Sequence, residues 1–184
     1  MAVTTRLTAA EYLTRREWPR FSELIDGGVV VNEPSGYHQY LVGELYAVLR
    51  EWTRAAPGRG RASLSVDVRV DERNVYAPDV WWVAGPDRPS RDAVFLPSPP
   101  DLAIEVRSPS TWRFDLGVKK ARYEANRLPE LWLVDHVADT VLVYRRSAPA
   151  APEFDVALEV ARGEALTSPQ LPGFGLELEA LFLD

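Results

Sequence analysis

Asp101-Leu102-Ala103-Ile104-Glu105-Val106-Arg107-Ser108-Pro109-Ser110 is the stretch on which the fold turns. From Leu102 to Val106 the run is apolar apart from Glu105, and Ser108-Pro109-Ser110 breaks it, so it reads as a buried strand. Side chains alternate across a strand, which puts Leu102, Ile104 and Val106 on one face and Ala103, Glu105 and Arg107 on the other. A carboxylate in such a strand is costly unless a cation, a metal or hydrogen-bond donors meet it. Two readings of Glu105 stand side by side. It pairs with Arg107 or another arginine to stabilise the sheet, or it converges with a second acid on a hard cation.

Asp79 is the candidate second acid. It follows Pro78 at the start of Pro78-Asp79-Val80-Trp81-Trp82-Val83, another strand pattern. If the two strands are neighbours, both carboxylates can face one ion, and Mg²⁺ is commonly held by one or two carboxylates with water and phosphate completing its shell.

Outward from these strands the chain reads as follows. Thr8-Ala9-Ala10-Glu11 has capping-box spacing and opens a helix to about Trp18, before Pro19. Phe21 to Val31 reads as a hairpin turning at Asp26-Gly27-Gly28. Ser35 caps a long helix on which Tyr37, Leu41, Val42, Leu45, Val48, Leu49 and Trp52 recur at helical spacing, ended by Pro57-Gly58-Arg59-Gly60. Leu64, Val66, Val68 and Val70 alternate with polar residues as one strand would. Five of the 15 prolines fall between Pro86 and Pro100, which marks a loop. Asp115 to Asn126 reads as a helix, followed by strands at Leu131–Val134 and Val141–Tyr144. Ser147 to Pro152 is a short linker, and edge strands follow. The order predicts a single domain over 1–184, of α/β (α+β) class, with a mixed sheet flanked by helices.

Composition bounds the chemistry. The chain has 184 residues, 21 Lys and Arg against 27 Asp and Glu, a formal charge of -6, no cysteine and two histidines. Disulfides, thiol nucleophiles, Cys-based metal sites and a three-histidine zinc site are excluded. The acid excess argues against a sequence-independent DNA coat with a broad basic face. No apolar run reaches the roughly 18 residues of a membrane span, and no secretory signal is seen at the N-terminus. The expectation is a cytoplasmic protein with no membrane partner.

Pro78-Asp79 followed 26 positions on by Glu105-Val106-Arg107 resembles the PD-(D/E)xK motif of the restriction-endonuclease-like nuclease superfamily. More narrowly, the chain is similar to a large bacterial family of uncharacterised restriction endonucleases. The matching stretches are Glu23-Leu24-Ile25-Asp26-Gly27, His38-Gln39, Ala77-Pro78-Asp79-Val80, Asp101 to Ser110, Asp115 with Lys119 and Tyr123, and Leu131-Trp132-Leu133-Val134-Asp135. They run in family order over roughly residues 8 to 183.

This resemblance implies a Mg²⁺- or Mn²⁺-dependent endonuclease hydrolysing phosphodiester bonds of DNA. Asp79, Glu105 and the Val106 backbone carbonyl would be the metal ligands, and Glu23 an accessory acid. The position of the superfamily lysine is Arg107 here, and an arginine stays protonated. The family's lysine matches Lys119 instead, with Lys120 the competitor. Asp115, Lys119 and Tyr123 stand four apart and form one helical stripe. His38 shares the inward face of the long helix. On residues alone it reads as a core histidine, and the resemblance places it near the active site. His136 reads as exposed, and Trp112 as core, base-stacking or interface.

A homodimer or higher homo-oligomer is also expected, with the later edge strands and the Leu176–Leu183 tail as candidate interface. The alternative function is a catalytically inactive nuclease-fold module for nucleic-acid or protein interaction. The basic groups around Arg50, Arg54, Arg59 and Arg61, and from Arg113 to Arg127, read either as phosphate contacts or as solvated helix faces.

Overall fold

The structure is a computed structural model that describes residues 6–15, 17–85 and 92–182. Helix α1 (Ala9–Thr14) starts at the expected capping box: Thr8 accepts from the Glu11 amide while Glu11 reaches back to the Thr8 amide. It stops at Arg15, short of Trp18, whose indole instead donates to the Tyr12 carbonyl. The hairpin of β1 (Ser22–Ile25) and β2 (Gly28–Val31) turns on Asp26 and Gly27, both at positive φ, as a two-residue turn with right-handed strand twist requires. Gly28 pairs with Ile25 and so begins the second strand.

Helix α2 (Gly36–Ala55) is capped by the Ser35 hydroxyl, which accepts from the His38 amide. The alternating stretch after it is not one strand. It divides into β3 (Arg61–Leu64) and β4 (Asp67–Arg69), which belong to different sheets. The apolar alternation runs on in sequence through the crossing at Ser65-Val66, although Leu64 at the end of β3 is 44% exposed while Val68 and Val70 beyond it are buried. Then come β5 (Val75–Tyr76), β6 (Val80–Val83), β7 (Phe95–Leu96) and β8 (Leu102–Val106). The expected proline loop carries β7, and its residues 86–91 lie outside the described ones.

The expected Asp115 to Asn126 helix begins earlier and is irregular: α3 (Trp112–Phe114), a π-helical turn (Asp115–Lys119) and α4 (Lys120–Ala125). The chain closes with β9 (Glu130–Asp135), β10 (Thr140–Arg145), β11 (Val156–Ala161), β12 (Ala165–Leu166), β13 (Leu176–Glu177) and α5 (Leu178–Leu181).

The larger sheet runs β11-β10-β9-β8-β6-β3, with β8 and β9 parallel and its other pairs antiparallel. The smaller runs β2-β1-β5-β4-β7, and β12 with β13 forms a ribbon. Leu102, Ile104 and Val106 meet Leu41, Leu45, Leu49 and Trp52 of α2 on one face of the larger sheet. Ala103, Leu131 and Leu133 meet Tyr123, Val68 and Tyr76 on the other. The period-2 reading of β8 therefore holds, and it sets Glu105 between the larger sheet and the π-helical turn. Leu178, Leu181 and Phe182 are buried in the α2-side core, so these residues of the tail help to close the core. Among the described residues no helix is long and apolar enough to cross a membrane.

Gly60 fixes where β3 starts. Its φ is +68°, and a Cβ there would lie 1.9 Å from the Val83 carbonyl oxygen of β6. Gly58 also has positive φ, at +80°, but faces open space. Gly58→Ala is expected to cost about 1 kcal/mol from left-handed backbone strain, and Gly60→Ala at least about twice that because the clash is with backbone. Urea unfolding of the two variants measures the difference, and equal losses would refute the close approach.

Candidate functional site

Five acids and one lysine line a single cleft of about 420 Å³: Glu23, Asp67, Asp79, Glu105, Asp115 and Lys119. The hairpin brings Glu23 on β1, the entry to β6 brings Asp79, and β8 brings Glu105. The π-helical turn buries both Asp115 and Lys119. An extra residue per turn re-aims the side chains that follow, and such turns recur at functional sites.

Lys119 is the centre. Its Nζ lies 3.0 Å from Glu23 Oε1, 2.9 Å from Glu105 Oε1 and 2.8 Å from Asp115 Oδ1. Burial alone would depress this ammonium, but Asp115, Glu105 and Glu23 together hold it well above the usual lysine range. It is a fixed positive charge, not a neutral base. Burial pushes the Glu105 carboxyl well up, Lys119 opposes the rise, and the neighbouring acids add to it. Tyr123 donates to the same Glu105 oxygen at 3.1 Å. Burial likewise pushes Asp115 up to about 6, against the pull of Lys119. Glu23 Oε1 also accepts from the Ala77 amide at 2.8 Å, tying the hairpin to the segment that carries Asp79.

Asp79 is more open than Glu105, with 17% side-chain exposure against 5%. Its Oδ2 accepts from the Val106 amide at 2.8 Å, which locks β6 to the end of β8. The same oxygen lies 3.3 Å from His38 Nε2. His38 is fully buried and neither ring nitrogen has a hydrogen-bond partner in the structure. It is thus both a core residue and a neighbour of Asp79.

The expected residues Glu23, Asp79, Glu105, Val106 and Lys119 therefore all reach one cleft. Arg107 does not pair with Glu105. It holds Asp135 at 2.8 Å and lies over the Trp112 ring. Lys120 turns away, its ammonium 4.6 Å from the Tyr144 ring centre. His136 is half-buried and edge-on to Tyr37. Sequence reasoning misses Asp67, because the single-strand reading treats it as an outward polar residue. Burial and Glu23 raise its carboxyl.

The donor set suits a hard cation: all oxygen, with more negative charge than one ammonium offsets and three carboxyls pushed up by burial. Among the described residues no three His, Cys, Asp or Glu side chains form a metal cage. An ion at Asp79 and Glu105 would complete its shell from backbone, water or phosphate.

Mixed parallel and antiparallel sheets flanked by a few helices, with this acidic cleft between them, define a restriction-endonuclease-like α+β protein. A family model described as "Uma2: Putative restriction endonuclease" matches residues 9–179, and the chain belongs to that family. The fold is similar to a solved structure described as "Crystal structure of a putative nuclease belonging to DUF820 from Anabaena variabilis ATCC 29413". The two share 21% identity at a TM-score of 0.80, over 96% of this chain and 97% of that one. No curated protein sequence matches significantly.

The raised Asp115 carboxyl has a sign that can be measured. Its stabilising contribution is full below the ordinary aspartate value of 3.8 and is lost as pH rises through about 6. Asp115→Asn should therefore gain in melting temperature relative to the parent as pH goes from about 4 to about 7. Parallel melting curves that never diverge would contradict the buried, raised carboxyl.

Proposed function

We propose that the chain is a divalent-metal-dependent endonuclease acting on DNA, with Mg²⁺ or Mn²⁺ held by Asp79, Glu105 and the Val106 backbone carbonyl. The observation that carries this reading is the buried Lys119 ammonium 2.9 Å from Glu105, in the open cleft that Asp79 also lines. Membership of a family described as restriction endonucleases supports DNA as the substrate.

A bound cation supplies Lewis-acid polarisation of a phosphate oxygen and a more acidic water. The protein's own groups do the rest. Lys119 is held charged, so it stabilises negative charge developing on the phosphate or orients the attacking water. Because its Nζ also touches Glu23 and Asp115, the ammonium is positioned before substrate arrives and needs little reorganisation. Glu23 acts as the accessory acid by holding Lys119, and the Val106 amide fixes the Asp79 carboxylate, with the His38 ring 3.3 Å away.

Purified protein should nick supercoiled plasmid with Mg²⁺ or Mn²⁺ and not in chelator. Asp79→Asn and Glu105→Gln should each lower the rate by at least about a hundredfold, and Lys119→Gln by about a hundredfold, with circular dichroism checking that each variant is folded. Full activity in Asp79→Asn would refute the site. DNA binding with no cleavage under any divalent cation would favour the inactive interaction module.

A further inference from the structure

We propose that a second groove, separate from the acidic cleft, grips the phosphate backbone of the nucleic-acid strand leaving the cleft, through Arg50, Arg54 and Arg61. The inference rests on the DNA-cleavage reading above and supplies what the acidic cleft lacks. The groove has a volume of about 470 Å³, lies between α2 and the edge strand β3, and has no acidic residue in its lining. In a chain of formal charge -6 that local absence of acid is unusual.

Three features make the groove a phosphate site in chemistry and not only in charge. None of the three arginines has a carboxylate within ion-pair distance among the described residues. Arg61 Nε is buried and lacks any hydrogen-bond partner in the structure, a donor that a phosphate oxygen would satisfy. Thr53 and Ser63 add hydroxyl groups to the lining, and the buried Trp81 forms part of its wall. Arg50 lies over the Tyr46 ring at 6.0 Å, which leaves its guanidinium N–H groups without a carboxylate among the described residues, whereas Arg122 is paired with Asp26 and Arg59 donates to the Trp52 carbonyl.

The groove is also in line with the cleft. On α2, Gln39 and Val42 line the cleft while Arg50 and Arg54 line the groove. On β3, Leu64 lines the cleft while Arg61 and Ser63 line the groove. At helix and strand rises the shortest offsets are about 10 Å from Leu64 to Arg61, about 12 Å from Val42 to Arg50 and about 18 Å from Val42 to Arg54, or roughly three to five nucleotides at about 3.4 Å each. A backbone whose scissile phosphate sits at Asp79 and Glu105 would thus pass the arginines a few nucleotides away.

The test measures binding of a short fluorescein-labelled DNA duplex by anisotropy, in EDTA, over a series of chloride concentrations. Arg50 and Arg54 are exposed helix positions, so Arg50→Gln/Arg54→Gln leaves the fold intact. The expected result is about tenfold weaker binding for any duplex sequence. The slope of log K against log salt should also shrink by about 0.9 for each lost phosphate contact. Arg73→Gln/Arg145→Gln carries the same charge change elsewhere and should alter both quantities far less. Unchanged affinity and slope in the groove variant, or equal loss in the control pair, overturns the inference.

Displacement of the duplex by inorganic phosphate well beyond chloride of matched ionic strength would also overturn it, pointing to a free-phosphate site. Cleavage by the parent protein with unaltered binding in the groove variant removes the groove and leaves the nuclease. Groove-dependent binding by a parent protein that never cleaves does the reverse.

Discussion

Three carboxylates carried by three separate elements meet at the Lys119 ammonium, and the arrangement of the molecule follows from keeping that charge satisfied. Glu23 belongs to the smaller sheet, Glu105 to the larger one, and Asp115 to the same π-helical turn as the lysine. A buried ion is costly unless it is well paired, several kcal/mol each. The hairpin, the central strand and the helix are therefore held in mutual register by a contact that none of them could satisfy alone. The apolar layer of Ala103, Leu131, Leu133, Tyr123 and Tyr76 surrounds this contact and keeps water from weakening it. Tyr123 belongs to both: its ring packs in the layer while its hydroxyl donates to Glu105.

The cluster is unbalanced by its own sequence. One ammonium faces three carboxylates directly, with Asp79 and Asp67 in the same cleft, and the response of the buried groups is to rise in pKa. A protein selected for stability alone would replace such acids with apolar residues. Their retention at the wall of an open cleft fits a site that meets positive charge from outside. The irregular helix belongs to the same logic. A regular α-helix from Asp115 to Asn126 would satisfy its backbone equally well, yet the chain adopts a π-helical turn in which Asp115 and Lys119 are both buried facing the acids.

What the amino-acid pattern shows plainly is what depends on short-range rules. The capping box at Thr8, the Asp26-Gly27 turn, the Ser35 cap and the alternation in β8 are each local, and each is realised. Of the site, Asp79, Glu105 and Lys119 are legible by motif order, because the motif is defined by spacing along the chain. What escapes has a common cause in layers that only the folded chain has. Ser65-Val66 crosses between sheets without interrupting the apolar period, so Asp67 passes for a solvent-facing residue. The choice between Lys119 and Lys120 also needs the folded chain, in which Lys120 turns to Tyr144. The partner of Arg107, Asp135, stands 28 positions on and is reached only through the parallel pairing of β8 with β9.

Net charge is a poor guide to the partner because it sums two regions that do opposite work. The cleft concentrates acid, so a polyanion approaching it without a cation is repelled, and the repulsion is strongest where the site is least exposed to salt. A nucleic acid would have to be held from somewhere else. The exposed side of α2 and the edge strand β3 run out of the cleft without passing through the core, and those two carry the acid-free, arginine-lined groove. Gly60 is what allows β3 to start there, since any side chain at that position would meet the β6 backbone. The placement of positive charge is thus tied to the same backbone that aligns β6, and with it Asp79, so the holding surface and the acidic cleft are fixed relative to one another by one turn of the chain.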